Sequence, residues 1–233
     1  MFTFKQFKIQ QEHTAMKVCT DSCIFGALIE TNKHTHALDI GAGTGLLSLM
    51  QTQKNPNLLI DAVELDPEAC KDAQQNFLHS PFQNKPNIHV ATIQEFADKT
   101  DKKYDLIFSN PPFYENSLLS PSKTKNIAHH TTLLSLEELA IVLEKLLLPT
   151  GKTWIILPPV SFHKFIEIAR KYGLFCTEST NIHHNIEKPC LRIVGVFEKI
   201  QNKHLLHLPI YIRDKTAYSA QFKELLKDFY IIF

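Results

Sequence analysis

Three of the chain's seven glycines, Gly41, Gly43 and Gly45, fall within five residues. In so glycine-poor a chain the cluster marks a backbone constraint, because glycine alone turns freely into the left-handed region and lets a ligand come close to the main chain. An apolar run with one acid, His36-Ala-Leu-Asp-Ile40, precedes it, and Leu46-Leu-Ser-Leu-Met50 follows. That order predicts strand, tight glycine loop, helix. A second strand is predicted over Leu58 to Leu65 (LLIDAVEL), after which Pro67 opens a helix with Ala69, Ala73 and Phe77 on one face. A right-handed crossover makes these two strands parallel.

The alternation continues with a third strand over Ile88 to Ile93 and a fourth over Tyr104 to Asn110 (YDLIFSN). Ser135 opens a helix with Glu138 completing a capping box and a leucine stripe behind it, ended by Pro149 and Gly151. A fifth strand (152 to 158) leads to a helix from Ser161 that stops at Gly173. Two strands around Cys176 to Ile182 and Leu191 to Ile200 follow without a helix between them, so they are expected to pair antiparallel at the sheet edge. A short helix is expected over Ser219 to Phe229. The expected fold class is α/β and Rossmann-like: a seven-stranded, mostly parallel sheet with one antiparallel edge strand and helices on both faces. Neither a repeat nor a linker marks a boundary, so residues 1–233 are expected to form a single domain.

Composition excludes several classes. With 44% hydrophobic and 21% charged residues, the chain reads as globular, not disordered or fibrous. No apolar run approaches the roughly 18 to 20 residues that cross a bilayer, and the first twenty residues lack a signal peptide's apolar stretch, so the expectation is a soluble cytoplasmic protein. Five cysteines without a CxxC pair support neither a disulfide framework nor a zinc site, and His183-His184 lack convergent partners, so no metal is expected. Residues 36–110 carry six Lys/Arg against ten Asp/Glu, and residues 111–233 fifteen against eleven. Only three of the 25 cations are arginine, so contact with a polyanion must rest on lysine.

The chemistry-bearing residues stand at predicted strand ends. In Asp39-Ile-Gly41-Ala-Gly43-Thr-Gly45, a dinucleotide site would need its third glycine one residue later, and Leu46 occupies the place of a small residue. An acid at the end of the first strand suits an ammonium better than a pyrophosphate. S-adenosylmethionine (SAM) carries such an ammonium and no phosphate. Glu64, near the end of the second strand, can accept both hydroxyls of a ribose. The plain alternative is that Glu64 and Asp66 are solvated strand-end charges. Asn110-Pro-Pro-Phe113 ends the fourth strand on the same carboxyl edge. Its prolines stiffen the loop and leave carbonyls pointing outward. The Asn110 side-chain oxygen and the Pro111 carbonyl then form a paired acceptor for an NH2 group, Pro112 holds the turn, and Phe113 can stack on the attached ring. A plain proline-rich turn is the alternative.

DIGAGTG, VELD and NPPF, in this order and spacing, resemble motifs I, II and IV of class I SAM-dependent amino-methyltransferases over about residues 36 to 200. FTFKQFKIQQEHTAMKVCTDSCIFGA (2 to 27) and the tail KDFYIIF are similar to the ends of the bacterial valine-tRNA adenine-N6 methyltransferases, which modify the adenosine just 3′ of the anticodon. The resemblance implies that Asp39, Gly41, Gly43 and Gly45 hold the methionine moiety of SAM, Glu64 its ribose and Leu65 one face of its adenine. It implies that Lys17, Thr20 and Asp21 close over the cofactor, with residues 1–35 an extension packing near that site, and that Asn110 to Phe113 present the target adenine of a tRNA. Family members carry an Asp at the third strand end; here Thr92 precedes Ile93, so that contact falls to the backbone or Gln94. Ala128-His129-His130-Thr131 stands where the family tends to have arginine. Lys123 and Lys125 are candidate RNA contacts, and Phe2, Phe4 and Phe7 read first as a half-buried strand or arm and second as base stackers. A protein glutamine-N5 methyltransferase is the nearest rival, because NPP plus an aromatic also suits a carboxamide nitrogen.

Overall fold

The structure is a computed structural model and describes residues 1–14, 16–111 and 134–233. Five parallel strands form the centre of the sheet: β3 (His36–Ile40), β4 (Leu59–Glu64), β5 (Asn87–Val90), β6 (Tyr104–Ser109) and β7 (Leu147–Leu157). The helices between them are α2 (Leu46–Lys54), α3 (Pro67–His79), α4 (Ile93–Lys99) and α5 (Leu136–Leu146). After β7 come α6 (Pro159–Lys171), β8 (Phe175–His183) and β9 (Cys190–Glu198). Ahead of β3 lie a short ribbon, β1 (Phe2–Thr3) with β2 (Lys8–Ile9), and the helix α1 (Thr20–Leu28). The chain closes with β10 (Leu205–Leu206), β11 (Ile210–Tyr211), the hairpin β12 (Arg213–Asp214) and β13 (Ala217–Tyr218), and α7 (Ala220–Leu226), capped by the Ser219 hydroxyl.

The main sheet has the order β10-β8-β9-β7-β6-β3-β4-β5, with β11 also pairing β8. β9 is antiparallel to both β7 and β8, so the antiparallel strand lies inside the sheet with β8 beyond it. The cause is composition: Ile193-Val194-Gly195-Val196-Phe197 is buried without a break and needs cover on both faces, as an interior strand does. Gly195 serves this placement, since a Cβ there would come within 2.4 Å of the Phe162 ring on α6. The short β10 and β11, both parallel to β8, bring the sheet to nine strands.

Other boundaries also differ from expectation. The third strand stops at Val90, because Thr92 and Glu95 form a capping box that starts α4, an unpredicted helix. Pro149 and Gly151 do not end α5, which finishes at Leu146; they lie inside β7, where the register with β6 shifts between Tyr104 and Leu106. α6 starts two residues early because a proline suits the first helical position.

Two apolar clusters form the core. One packs α1, α2, α3 and α7 residues, including Phe25, Met50, Phe77 and Phe222; the other packs α4, α5 and α6 residues, including Phe96, Leu143 and Phe165. Phe4 and Phe7 belong to the first, stacked on each other with centroids 4.6 Å apart and at most 4% exposed. Their alternative role as base stackers is therefore closed, because neither ring offers a free face.

Candidate active site

Parallel pairing sets the site. Ile40 is in register with Val63 on one side and Ser109 on the other, so the carboxyl ends of β4, β3 and β6 come to one edge, with Glu64 and Asp39 on adjacent strands and Asn110 directly after the third. The Ser109 hydroxyl donates to the Ile40 carbonyl at 2.8 Å and fastens the two strand ends.

All three loop glycines have left-handed φ: 74° at Gly41, 54° at Gly43 and 76° at Gly45. Their surroundings differ. A Cβ on Gly45 would lie 2.3 Å from the Phe77 ring, so this glycine serves packing against α3. A Cβ on Gly41 or Gly43 would meet nothing within 4 Å among the described residues, so these two leave a cradle open to a ligand. The Gly41 and Ala42 N–H groups donate to the Val63 carbonyl at 2.9 and 3.1 Å, which holds the loop against the end of β4.

Asp39 is wholly buried. One carboxylate oxygen accepts from the Ser48 hydroxyl on α2 at 2.7 Å, and the other has no partner among the described residues. Burial pushes its pKa up to about 7 against the pull of Ser48, with the nearby Glu64 charge adding to the rise. A buried acceptor without a donor is costly, and an ammonium is the natural donor. Glu64 bridges the loop: Oε2 accepts the Gly43 N–H and Oε1 the Asp66 N–H, each at 2.9 Å. It is thus tied to the glycine cradle, unlike a freely solvated strand-end charge. Leu65, 41% exposed, stands next to it as an apolar platform.

Asn110 follows β6, half-buried, and its Nδ2 donates to the Ser22 hydroxyl on α1 at 3.1 Å. Pro111 is buried. Pro112, Phe113, Lys123, Lys125, His129 and His130 lie outside the described residues. Thr20 opens α1, and Asp21 lies beside it with Oδ2 3.2 Å from Arg192 Nε at the start of β9. Lys17 and Thr20 are exposed. The Thr92 hydroxyl is occupied by the Glu95 N–H at 3.1 Å, and the Ile93 side chain is buried, so Ile93 has its main chain to offer a ligand and not its side chain.

Sequence reasoning missed a clamp on the N-terminal segment. The buried Asp72 carboxylate of α3 accepts the N–H groups of His13 and Thr14 at 2.9 and 3.0 Å and contacts the His13 ring at 2.9 Å. Asn76, one turn on, accepts the Gln10 N–H and donates to the carbonyls of Gln10 and of Thr44 in the glycine loop. Burial alone would raise the Asp72 pKa, but the His13 ring and the two amides outweigh it and hold it below the usual carboxylate value. The clamp's contribution to stability is therefore full above that value and fades as pH falls through the lower folded pKa. Aspartate and asparagine four residues apart on one helix face were the available signal.

Among the described residues no group of His, Cys, Asp and Glu is placed to hold a metal ion, and no helix is long and apolar enough to cross a membrane.

Residues 15–154 match the Methyltransferase small domain family. The tRNA1(Val) (adenine(37)-N6)-methyltransferase of Dyadobacter fermentans is 42% identical over 236 residues, covering 100% of this chain and 98% of the relative. The chain belongs to the tRNA1(Val) (adenine(37)-N6)-methyltransferase family. The member from Cytophaga hutchinsonii is 39% identical, with 99% of this chain and 97% of the relative covered. A solved structure described as a predicted O-methyltransferase from Agrobacterium tumefaciens has a TM-score of 0.69 at 16% identity, covering 89% of this chain and 95% of that one. That likeness shows the class I methyltransferase fold, for which SAM is the implied ligand. The unpartnered Asp39 oxygen and the open cradle at Gly41 and Gly43 fit the ammonium and main-chain approach such a ligand needs.

Proposed function

We propose that this chain transfers the methyl group of SAM to the exocyclic N6 of adenosine in tRNA, at the adenosine 3′ of the anticodon of valine tRNA, and does so in the cytoplasm. The observation that carries this reading is the placement of Asn110 one strand from Asp39 on a shared sheet edge, in a chain whose full-length relatives are named for that reaction. Asp39, Gly41, Gly43 and Gly45 would hold the methionine moiety, Glu64 the ribose, Leu65 a face of the adenine, and the main chain at Thr92 and Ile93 its amino group. Lys17, Thr20 and Asp21 would close over the site, with residues 1–35 an extension of a single domain spanning 1–233.

When bound, SAM supplies a methyl group activated by a sulfonium and leaves as the neutral thioether. The chain's own work is positioning. The Asn110 side-chain oxygen and the Pro111 carbonyl accept the two N–H groups of the adenine amine, which turns its lone pair out of conjugation with the ring. Pro112 and Phe113, which the family resemblance assigns to this corner, would stiffen it and stack on the base. Alignment of donor carbon and nitrogen at about 3 to 3.5 Å can contribute roughly 7 kcal/mol or more. Once methylated, the nitrogen is acidic, so the same acceptors or water take its proton and no strong base is needed. Lys123, Lys125 and the N-terminal lysines are candidate phosphate contacts.

Glu64→Ala is expected to weaken SAM binding by about 1.5 to 3 kcal/mol, because a charged hydrogen-bond partner is lost. Calorimetry returning the parent affinity would remove the ribose assignment. The function itself is tested by incubating the protein with methyl-labelled SAM and either unmodified valine tRNA or a release factor. Label in N6-methyladenosine beside the anticodon supports the reading. Label confined to glutamine overturns it.

A further inference from the structure

We propose that Ser22 is the positioning residue that decides which end of the Asn110 carboxamide faces the substrate. The inference rests on the reading of Asn110 as an acceptor for the adenine amine. A carboxamide is nearly symmetric in shape, and a half-turn exchanges its oxygen for its NH2. Only one orientation can accept from an amine; the other sets donor against donor. A hydrogen-bond partner committed to one end of the carboxamide would fix the choice.

That partner is Ser22 Oγ, 3.1 Å from Asn110 Nδ2 and, with its residue only 7% exposed, shielded from water that could replace it. A hydroxyl both donates and accepts, so its own proton must be committed elsewhere for it to select the nitrogen. Cys19 Sγ lies 2.9 Å from Ser22 Oγ. Burial, and then the adjacent Asp21 carboxylate, raise the Cys19 pKa, so the thiol keeps its proton. The carboxylate of Asp21 can only accept. It also takes the Ser22 N–H at 3.1 Å and lies 3.2 Å from Arg192 Nε. With Cys19 Sγ beside it to take the hydroxyl proton, the Ser22 oxygen is left to accept from Asn110 Nδ2, and Arg192 holds the neighbouring Asp21. This arrangement leaves the Asn110 oxygen turned away from α1. Ser22 is accordingly not a catalytic residue; it acts through Asn110.

The test compares Ser22→Ala, Ser22→Thr, Asn110→Ala and the double variant with Ala at both positions. Losing one oriented hydrogen bond is expected to lower the kcat of Ser22→Ala about tenfold, with the tRNA KM, the SAM Kd and the Tm little changed. Ser22→Thr, which keeps the hydroxyl, restores most of the rate. In the Asn110→Ala background Ser22→Ala adds nothing further, because the group it orients is gone. Without substrate, the Asn110 side-chain NH2 of 15N-labelled protein exchanges more slowly in the parent than in Ser22→Ala. An unchanged kcat in Ser22→Ala beside a lowered one in Asn110→Ala overturns the positioning role alone. Equal losses in both backgrounds, or no rescue by threonine, overturn it too and mark Ser22 as structural. An unchanged kcat in Asn110→Ala brings down the acceptor reading and this inference with it.

Discussion

Asn110→Ala is expected to lower kcat about 100-fold or more while leaving SAM affinity close to that of the parent. The magnitude follows from deleting one preorganised polar contact to the reacting group, which costs about 10² to 10³ in rate when the contact strengthens toward the transition state. The separation of kcat from affinity follows from the sheet. Asp39 and Glu64 stand on β3 and β4 and keep their bonds to Ser48, Gly43 and Asp66. The substitution also spares the scaffold, because the Ser109 bond to the Ile40 carbonyl and the buried Pro111 hold the end of β6 without the Asn110 side chain. Single-turnover methylation of valine tRNA, with SAM binding measured by calorimetry, separates the two quantities. A parent-like kcat would show that the amine is not held by Asn110.

The site's frame was legible because its signals are local. Strand, glycine loop and helix lie within one run, and the structure places β3 at His36–Ile40 and α2 from Leu46, as read. Pro67 likewise marks the start of α3, with Asp66 capping it. α1 was not legible, because Ser22 to Gly26 are buried in succession and show no helical period. Its neighbours cover it on several sides, so tertiary packing and not an amphipathic stripe defines it. α4 escaped for a different reason: its capping box was present, but seven residues are too few for a periodic pattern. The order of β8 and β9 required comparing which strand tolerates burial on both faces. Ser22 and Asn110 are 88 positions apart, so no spacing rule could join them.

The strongest dependence on solution conditions is expected at Asp39. Burial pushes its pKa up to about 7, and one of its oxygens has no partner among the described residues. Binding an ammonium favours the ionised carboxylate, so the complex holds Asp39 at a lower pKa than the free protein does. Protons are then released on binding below pH 7, and the SAM Kd is expected to fall by up to tenfold for each pH unit gained until about pH 7. Above about pH 8 affinity declines again as the ligand's own amino group loses its proton. Asp39→Asn removes the acid limb and, by taking one partner from a buried charge pair, weakens binding by about 3 to 5 kcal/mol near pH 7.5. Stability provides an independent reading with the opposite sign. A carboxyl whose folded pKa is raised costs stability as pH climbs from the ordinary carboxylate range toward 7, because the unfolded chain has released a proton that the folded chain retains. Parent protein without ligand should therefore lose Tm over that interval by more than Asp39→Asn does. Calorimetric Kd values that stay level between pH 5.5 and 7 would separate Asp39 from the ammonium and leave its buried, half-paired carboxyl as a feature of folding alone.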